Sequence, residues 1–172
     1  RCLSYLPLCH IYERMMNYMY QYRGFEIFYA ENAVKVADNI KETQPNMMTT
    51  VPRLLEKIYD KIYRKGEKMT GIKKEIFYWA LEFATEYEFE NTSFIYTLKH
   101  KVADKLVYSA IRENFGVLEL IVSGGAAIQP RLARFFNWLG LNIYEGYGLT
   151  ETSPVIAVST REKGGRKVGT VG

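Results

Sequence analysis

Hydrophobic positions along this chain switch repeatedly between short runs or a period of two, which suit strands, and a period near 3.6, which suits helices. Residues 2–8 read as a strand that Pro7 ends, and an aromatic-rich helix follows from His10 to about Tyr22. Gly24 interrupts the pattern; 25–29 is a short strand, and Val34, Val36, Ala37 and Ile40 give a short helix that stops before Pro45. Residues 47–51 form the next strand, and from Pro52 the residues Leu54, Leu55, Ile58, Tyr59, Ile62 and Tyr63 recur at helical spacing. Two more helices are predicted. One spans 72–90, with Ile76, Ala80, Phe83, Ala84 and Tyr87 on one face; the other spans 99–112, with Val102, Ala103, Leu106, Val107, Ala110 and Ile111 buried. This alternation predicts an α/β fold, a mostly parallel sheet flanked by helices.

The last third carries the sharpest pattern. The aliphatic run 118–122 opens at once into Ser123-Gly124-Gly125-Ala126-Ala127, a strand leading into a small-residue loop. Pro130 suits the first turn of a helix, Leu132, Ala133, Phe135, Phe136 and Leu139 repeat at helical spacing, and Gly140 closes it. Residues 142–147 are the next strand, a second glycine loop follows, and Val155–Val158 is a further strand. Strand, glycine loop, helix, strand, glycine loop is a right-handed βαβ crossover, so both loops fall at the same carboxyl edge of the sheet. Ligands of open α/β sheets bind at that edge.

The second loop, Gly146-Tyr147-Gly148-Leu149-Thr150-Glu151, holds residue types that suit a nucleotide. Glycines let the backbone approach a ligand closely. The Tyr147 ring can cover a base, and the Thr150 hydroxyl can donate to a phosphate oxygen. A carboxylate at Glu151 repels phosphate unless a hard cation stands between them, which makes Glu151 a candidate Mg²⁺ ligand. A tight hairpin turn with an exposed Glu is the plain alternative from spacing alone.

The chain has neither a Gly-x-x-x-x-Gly-Lys-Ser/Thr loop nor the third glycine of a dinucleotide fingerprint. Tyr147-Gly148-Leu149-Thr150-Glu151, preceded by Ser123-Gly124-Gly125-Ala126, instead resembles the adenylate-forming superfamily of acyl-CoA synthetases, luciferases and adenylation domains. The opening Leu6-Pro7-Leu8-Cys9-His10-Ile11-Tyr12-Glu13-Arg14 and the run from Glu145 to Pro154 are similar to the long-chain fatty acid-CoA ligase branch, and the likeness covers essentially the whole chain. It implies a two-step reaction, in which a fatty carboxylate attacks the α-phosphorus of ATP and the CoA thiol then takes the acyl group. By the same resemblance Glu151 holds Mg²⁺, Thr150 bonds a phosphate oxygen and Tyr147 stacks on adenine. Gly124, Gly125 and Ala126 pass close to the base and the acyl group, Gly148 keeps the backbone clear of the adenylate, and His10 lies beside the reacting carboxylate. By itself, a lone His at a helix start is more often a local packing or hydrogen-bonding residue.

The resemblance also implies that residues 1–172 are a piece of the large AMP-binding N-terminal domain. An upstream Ser/Thr/Gly-rich phosphate loop and a downstream ribose-binding Asp, hinge and small lysine-bearing domain are expected outside them. The chain starts without Met in an apolar run, which fits that expectation. Such a piece is expected to be catalytically inert alone and to self-associate through open sheet edges. Residues 168–172 resemble the start of a further family motif.

A formal charge of +4 gives no reason to expect nucleic acid as a partner. The basic residues Lys57, Lys61, Arg64, Lys65 and Lys68 lie on the outer face of the helix after Pro52. A solvated face is the default, and a dock for anionic lipid or CoA phosphates is the alternative. No apolar run is long enough to span a bilayer. Cys2 and Cys9 have no metal-ligand or disulfide framework around them, so reduced, partly buried thiols in a cytoplasmic protein are expected, with peripheral contact at the inner face of a membrane as an addition. Two rivals remain open: adenylation of another acid, aryl, short-chain or for carrier-protein loading, and a non-catalytic lipid- or nucleotide-binding module.

Overall fold

The computed structural model describes residues 1–86, 93–160, 162, 165 and 167–171. Five short strands, β1 (Cys2–Ser4), β2 (Ile27–Tyr29), β3 (Met47–Thr50), β4 (Leu120–Ser123) and β5 (Asn142–Gly148), pair in parallel, and β6 (Val155–Val158) joins antiparallel to β5. The order across the sheet is β2-β1-β3-β4-β5-β6. The mostly parallel α/β class read from the pattern is therefore the one observed.

Helices α1 (Ile11–Tyr22), α2 (Val36–Thr43), α3 (Pro52–Glu67), α4 (Ile72–Thr85), α5 (Phe94–Ala103), α6 (Ser109–Arg112) and α7 (Pro130–Trp138) connect the strands. Side chains alternate across a strand, so each strand serves both faces of the sheet. Leu3, Met48, Ile121 and Ile143 enter a large apolar cluster with α2, α3, α4 and α7. On the other face Cys2 packs with Met16 and Tyr20 of α1, and Ile27 and Met47 lie against them. Pro130 opens α7 as expected, and Leu132, Ala133, Phe135, Phe136 and Leu139 are all buried before Gly140 turns the chain at φ 87°.

Two expectations need correction. The helix over 99–112 is interrupted by a π-helical turn at Asp104–Tyr108. Ala103, Val107, Tyr108 and Ile111 are buried, whereas Val102, Leu106 and Ala110 face out. The buried Tyr108 hydroxyl donates to the Ala80 carbonyl at 2.7 Å, which fixes the inward stripe. The strand expected over 2–8 ends at Ser4, because its neighbour β2 runs out at Tyr29 opposite Ser4 and its pairing with β3 stops at Leu3; Tyr5 still packs on the same face as Leu3, its hydroxyl 2.8 Å from Thr50 Oγ1. The helix expected over 72–90 runs to Thr85, and its positions from Tyr87 on lie outside the described residues, as do Arg161, Lys163, Gly164 and Arg166 of the charged loop and Gly172. Both cysteines are free, Cys2 buried and Cys9 exposed.

Candidate functional site

The parallel strands β1, β3, β4 and β5 all end at one edge of the sheet, and that edge collects the loops the sequence singled out. Below it lies a cavity of about 650 Å³ between α1 and the β4-β5-β6 side of the sheet. His10, Gly124, Gly125, Tyr147, Gly148 and Thr150 line it at the carboxyl edge. Ile11, Tyr12, Met15, Met16, Met19, Met47, Val122 and Val158 line its body. Helix α1 runs back along the strands, so Ile11 to Met19 carries the wall about 12 Å from the carboxyl edge toward the amino edge at 1.5 Å per residue.

Six of the eight residues proposed from sequence thus meet at one opening. Ala126 is exposed in the loop after β4 and does not line the cavity. Glu151 is exposed in a 3₁₀ turn at Thr150–Thr152, next to Thr150 but off the cavity wall. Among the described residues no three His, Cys, Asp or Glu side chains gather as a metal cluster. A lone exposed carboxylate still suits Mg²⁺, which keeps its waters and binds through one or two carboxylates plus substrate phosphates.

The second glycine loop is a hairpin between antiparallel strands, with a register shift at Tyr147/Gly148. The tight hairpin turn with an exposed Glu, the plain alternative, is the local geometry observed. Thr152 fastens the turn: its Oγ1 accepts from the Leu149 amide at 3.0 Å and donates to the Pro154 carbonyl at 2.6 Å. Thr150 is left exposed at the cavity mouth. A Cβ at Gly148 would run into the Pro154 carbonyl oxygen, so the hairpin alone demands glycine there. Gly124 has a similar internal reason. A Cβ there would come 3.1 Å from the ring of Tyr12, whose hydroxyl donates to the Val122 carbonyl at 3.0 Å. Burial pushes the Tyr12 phenol far above its usual range.

Sequence reasoning missed three residues of this region. Tyr12 closes the cavity under the first glycine loop; its place two residues after His10 on an apolar face was the available signal. Glu13 is fully buried on the cavity wall, with Ser4 and Thr49 hydroxyls as donors. Glu145 is buried behind the hairpin, where its carboxylate accepts from the Gly169 amide at 3.4 Å and thereby ties down the segment after Lys167. Burial raises the pKa of both carboxyls, and their hydrogen-bond donors oppose the shift.

Comparisons with known proteins agree with this geometry. Long-chain-fatty-acid–CoA ligase 6 of Rattus norvegicus is 32% identical over 151 residues, 86% of this chain and 21% of the relative. Long chain acyl-CoA synthetase 7, peroxisomal, of Arabidopsis thaliana is 34% identical over 99% of this chain and 24% of its own length. Long-chain-fatty-acid–CoA ligase FadD15 of Mycobacterium bovis is 31% identical over 100% of this chain and 29% of its own. The chain therefore spans less than a third of the length of these relatives. Among solved structures, the N-terminal domain of FACL13 from Mycobacterium tuberculosis matches all of this chain, and 33% of its own, at TM-score 0.61 and 18% identity, a likeness of fold. Residues 1–172 match the family model described as AMP-binding enzyme, and the chain belongs to that family.

Proposed function

We propose that this chain forms the adenylate-forming surface of a long-chain fatty acid-CoA ligase, within the AMP-binding N-terminal domain of such an enzyme. The observation that carries the reading is the apolar, methionine-rich cavity that opens at the two glycine loops. It offers an aliphatic chain a dry path along α1 while its carboxylate stays at the carboxyl edge beside His10 and Thr150. The reading is supported by the names of the relatives, which are long-chain ligases.

In the first step a carboxylate oxygen bonds to the α-phosphorus of ATP and the bond to pyrophosphate breaks. In the second, the CoA sulfur bonds to the acyl carbon, the bond to AMP breaks, and the thiol proton leaves to solvent. The first step brings an anion against a polyanion, so positioning and charge neutralisation dominate. Thr150 donates to a phosphate oxygen, Tyr147 covers the adenine, and Gly124, Gly125 and Ala126 form the strip of backbone along the base. His10 sits beside the reacting carboxylate. Glu151 is the residue that would hold Mg²⁺, whose charge offsets that of the phosphates. The exposed basic face of α3 supports a peripheral contact with anionic lipid or with CoA phosphates. Among the described residues no helix is long and apolar enough to cross a membrane.

The test is pyrophosphate release by the full-length protein with ATP and Mg²⁺, across acids from acetate to palmitate and one aromatic acid. Release that requires a long-chain acid supports the reading. Release with short or aromatic acids alone keeps the chemistry and replaces the substrate; silence with every acid, alongside binding of an acyl-adenylate analogue, leaves a binding module.

A further inference from the structure

Glu13 is 0% exposed, yet it carries a carboxyl group and sits on the helix that walls the cavity. Its Oε1 accepts from Ser4 Oγ at 2.5 Å and its Oε2 from Thr49 Oγ1 at 2.5 Å. Asn17, one turn further along α1, donates its Nδ2 to Ser4 Oγ at 3.0 Å and to the Glu13 carbonyl at 2.9 Å. Ser4 and Thr49 belong to β1 and β3, neighbouring strands paired through Leu3 and Met48, so the two hydroxyls lie level with one another. A single carboxyl group spans two strands and grips both with one oxygen each.

The apolar grip on the same helix is mostly half-buried. Among the described residues its fully buried members are Cys2, Met16 and Tyr20, with Tyr12, Met15, Met19, Ile27 and Met47 packed against them. Apolar burial is non-directional and leaves a helix free to slide or roll by a fraction of a turn. A fork of two hydrogen bonds is directional: together with the bond from the Tyr12 hydroxyl to the Val122 carbonyl, it opposes a rotation of α1 that apolar burial alone would permit. The residues that depend on this setting are the cavity wall itself, Ile11, Tyr12, Met15 and Met19, together with His10 at the helix start.

We propose that Glu13 is a positioning residue: by clasping β1 and β3 it sets the rotation of α1 and so the width of the cavity that receives the acyl chain. This rests on the fatty-acid reading above. It acts through α1 and touches no reacting atom. Only a group with two acceptor oxygens can satisfy both hydroxyls as donors; a Gln presents one acceptor and an NH₂ that forces one hydroxyl to turn round.

The test is Glu13→Gln in the full-length protein, with pyrophosphate release followed separately against palmitate and against ATP. The KM for palmitate is expected to rise about tenfold or more while the KM for ATP moves less than about twofold, because Tyr147 and Thr150 stand on the β5–β6 hairpin and not on α1. A second variant, Glu13→Met with Ser4→Ala and Thr49→Val, removes the carboxyl and both hydroxyls at similar volume, which folded proteins tolerate, leaves Asn17 its bond to the main-chain carbonyl of residue 13, and is expected to show the same split. A merely structural role would lower melting temperature and kcat with both KM values unchanged, and that result overturns the proposal. Binding of cis-parinaric acid, read by fluorescence, reports on the same wall without turnover. Silent wild-type enzyme whose probe affinity still falls about tenfold in Glu13→Gln removes the ligase reading and keeps the positioning role; unchanged probe affinity removes the role itself.

Discussion

The two faces of one sheet are built on opposite principles. On the packed face Leu3, Met48, Ile121 and Ile143 meet Phe135, Phe136, Tyr59 and Phe77 in a continuous apolar cluster, with Tyr59 edge-on to Phe135 at 4.9 Å between centroids. On the other face α1 rests on a small apolar cluster and a buried polar clasp, and the sheet beyond it borders a cavity. Alternate residues of the same strands supply both faces. Stability is concentrated where side chains interlock, and the face left incompletely filled is the one whose strand ends carry Gly124, Gly125, Tyr147 and Thr150.

The largest expected effect breaks that asymmetry at its strong side. Phe135→Ala removes a fully buried ring from the packed cluster and should cost about 3–5 kcal/mol. Met19→Ala, on the half-buried cavity wall, should cost less than about 2 kcal/mol and change acid preference instead. Denaturant midpoints at unchanged slope measure both; equal costs would mean that the α1 face carries as much of the stability as the packed one.

A smaller effect separates two reasons for a glycine. Gly148→Ala drives a Cβ into the Pro154 carbonyl and should cost about 1–3 kcal/mol by overpacking. Gly125 has room for a Cβ, 3.6 Å from Val51 Cγ1, and only its φ of 80° stands against a side chain, a cost of about 1–2 kcal/mol. The two therefore overlap in stability but differ in kind. Shortening the β5–β6 turn chemistry by Thr152→Val should worsen Gly148→Ala and leave Gly125→Ala additive, since only the first pair shares a partner in Pro154. Additivity in both pairs would return the glycine at 148 to a ligand-driven explanation.

The chain order of elements, the parallel crossover and the meeting of two glycine loops were legible because each rests on local periodicity and on a chirality rule. What failed was the separation of two equal patterns. Val102, Leu106 and Ala110 repeat every four residues, and so do Ala103, Val107 and Ile111, and the sequence put both stripes inside; packing against Ala80, Leu81 and Ala84 and the long-range bond from Tyr108 to Ala80 bury the second stripe. Glu13 was equally opaque. Its residue type argues for solvent, and its two partners lie nine and 36 residues away on separate strands, so the clasp exists only once register is known. Gly124 and Gly148 were legible as special positions, but their reasons, Tyr12 and Pro154, were not.

The smallest expected effect distinguishes the two faces by pH. Glu13, on the α1 side, and Glu145, behind the hairpin, both have folded pKa values raised above the usual carboxyl range, chiefly by burial. The folded chain then holds those protons more tightly than the unfolded one, so stability falls as pH rises from about the unfolded carboxyl value through the folded one, and is level above it. Glu145→Gln should flatten part of that slope while leaving the acid KM alone, because its carboxyl meets Gly169 and not the cavity. Glu13→Gln should flatten the remainder and move the acid KM as well. At the alkaline end the phenols of Tyr12 and Tyr20 on the α1 side and Tyr108 on the packed side are raised by burial above their usual range. The unfolded chain sheds its phenol protons first, so stability falls again above about pH 10. Tyr108→Phe should weaken that alkaline fall at the expense of the Ala80 bond, and Tyr20→Phe should weaken it with no counterpart on the packed face. If urea midpoints across pH 4 to 11 instead respond only to Tyr108, the α1 face opens before global unfolding, and its clasp belongs to a separately unfolding unit.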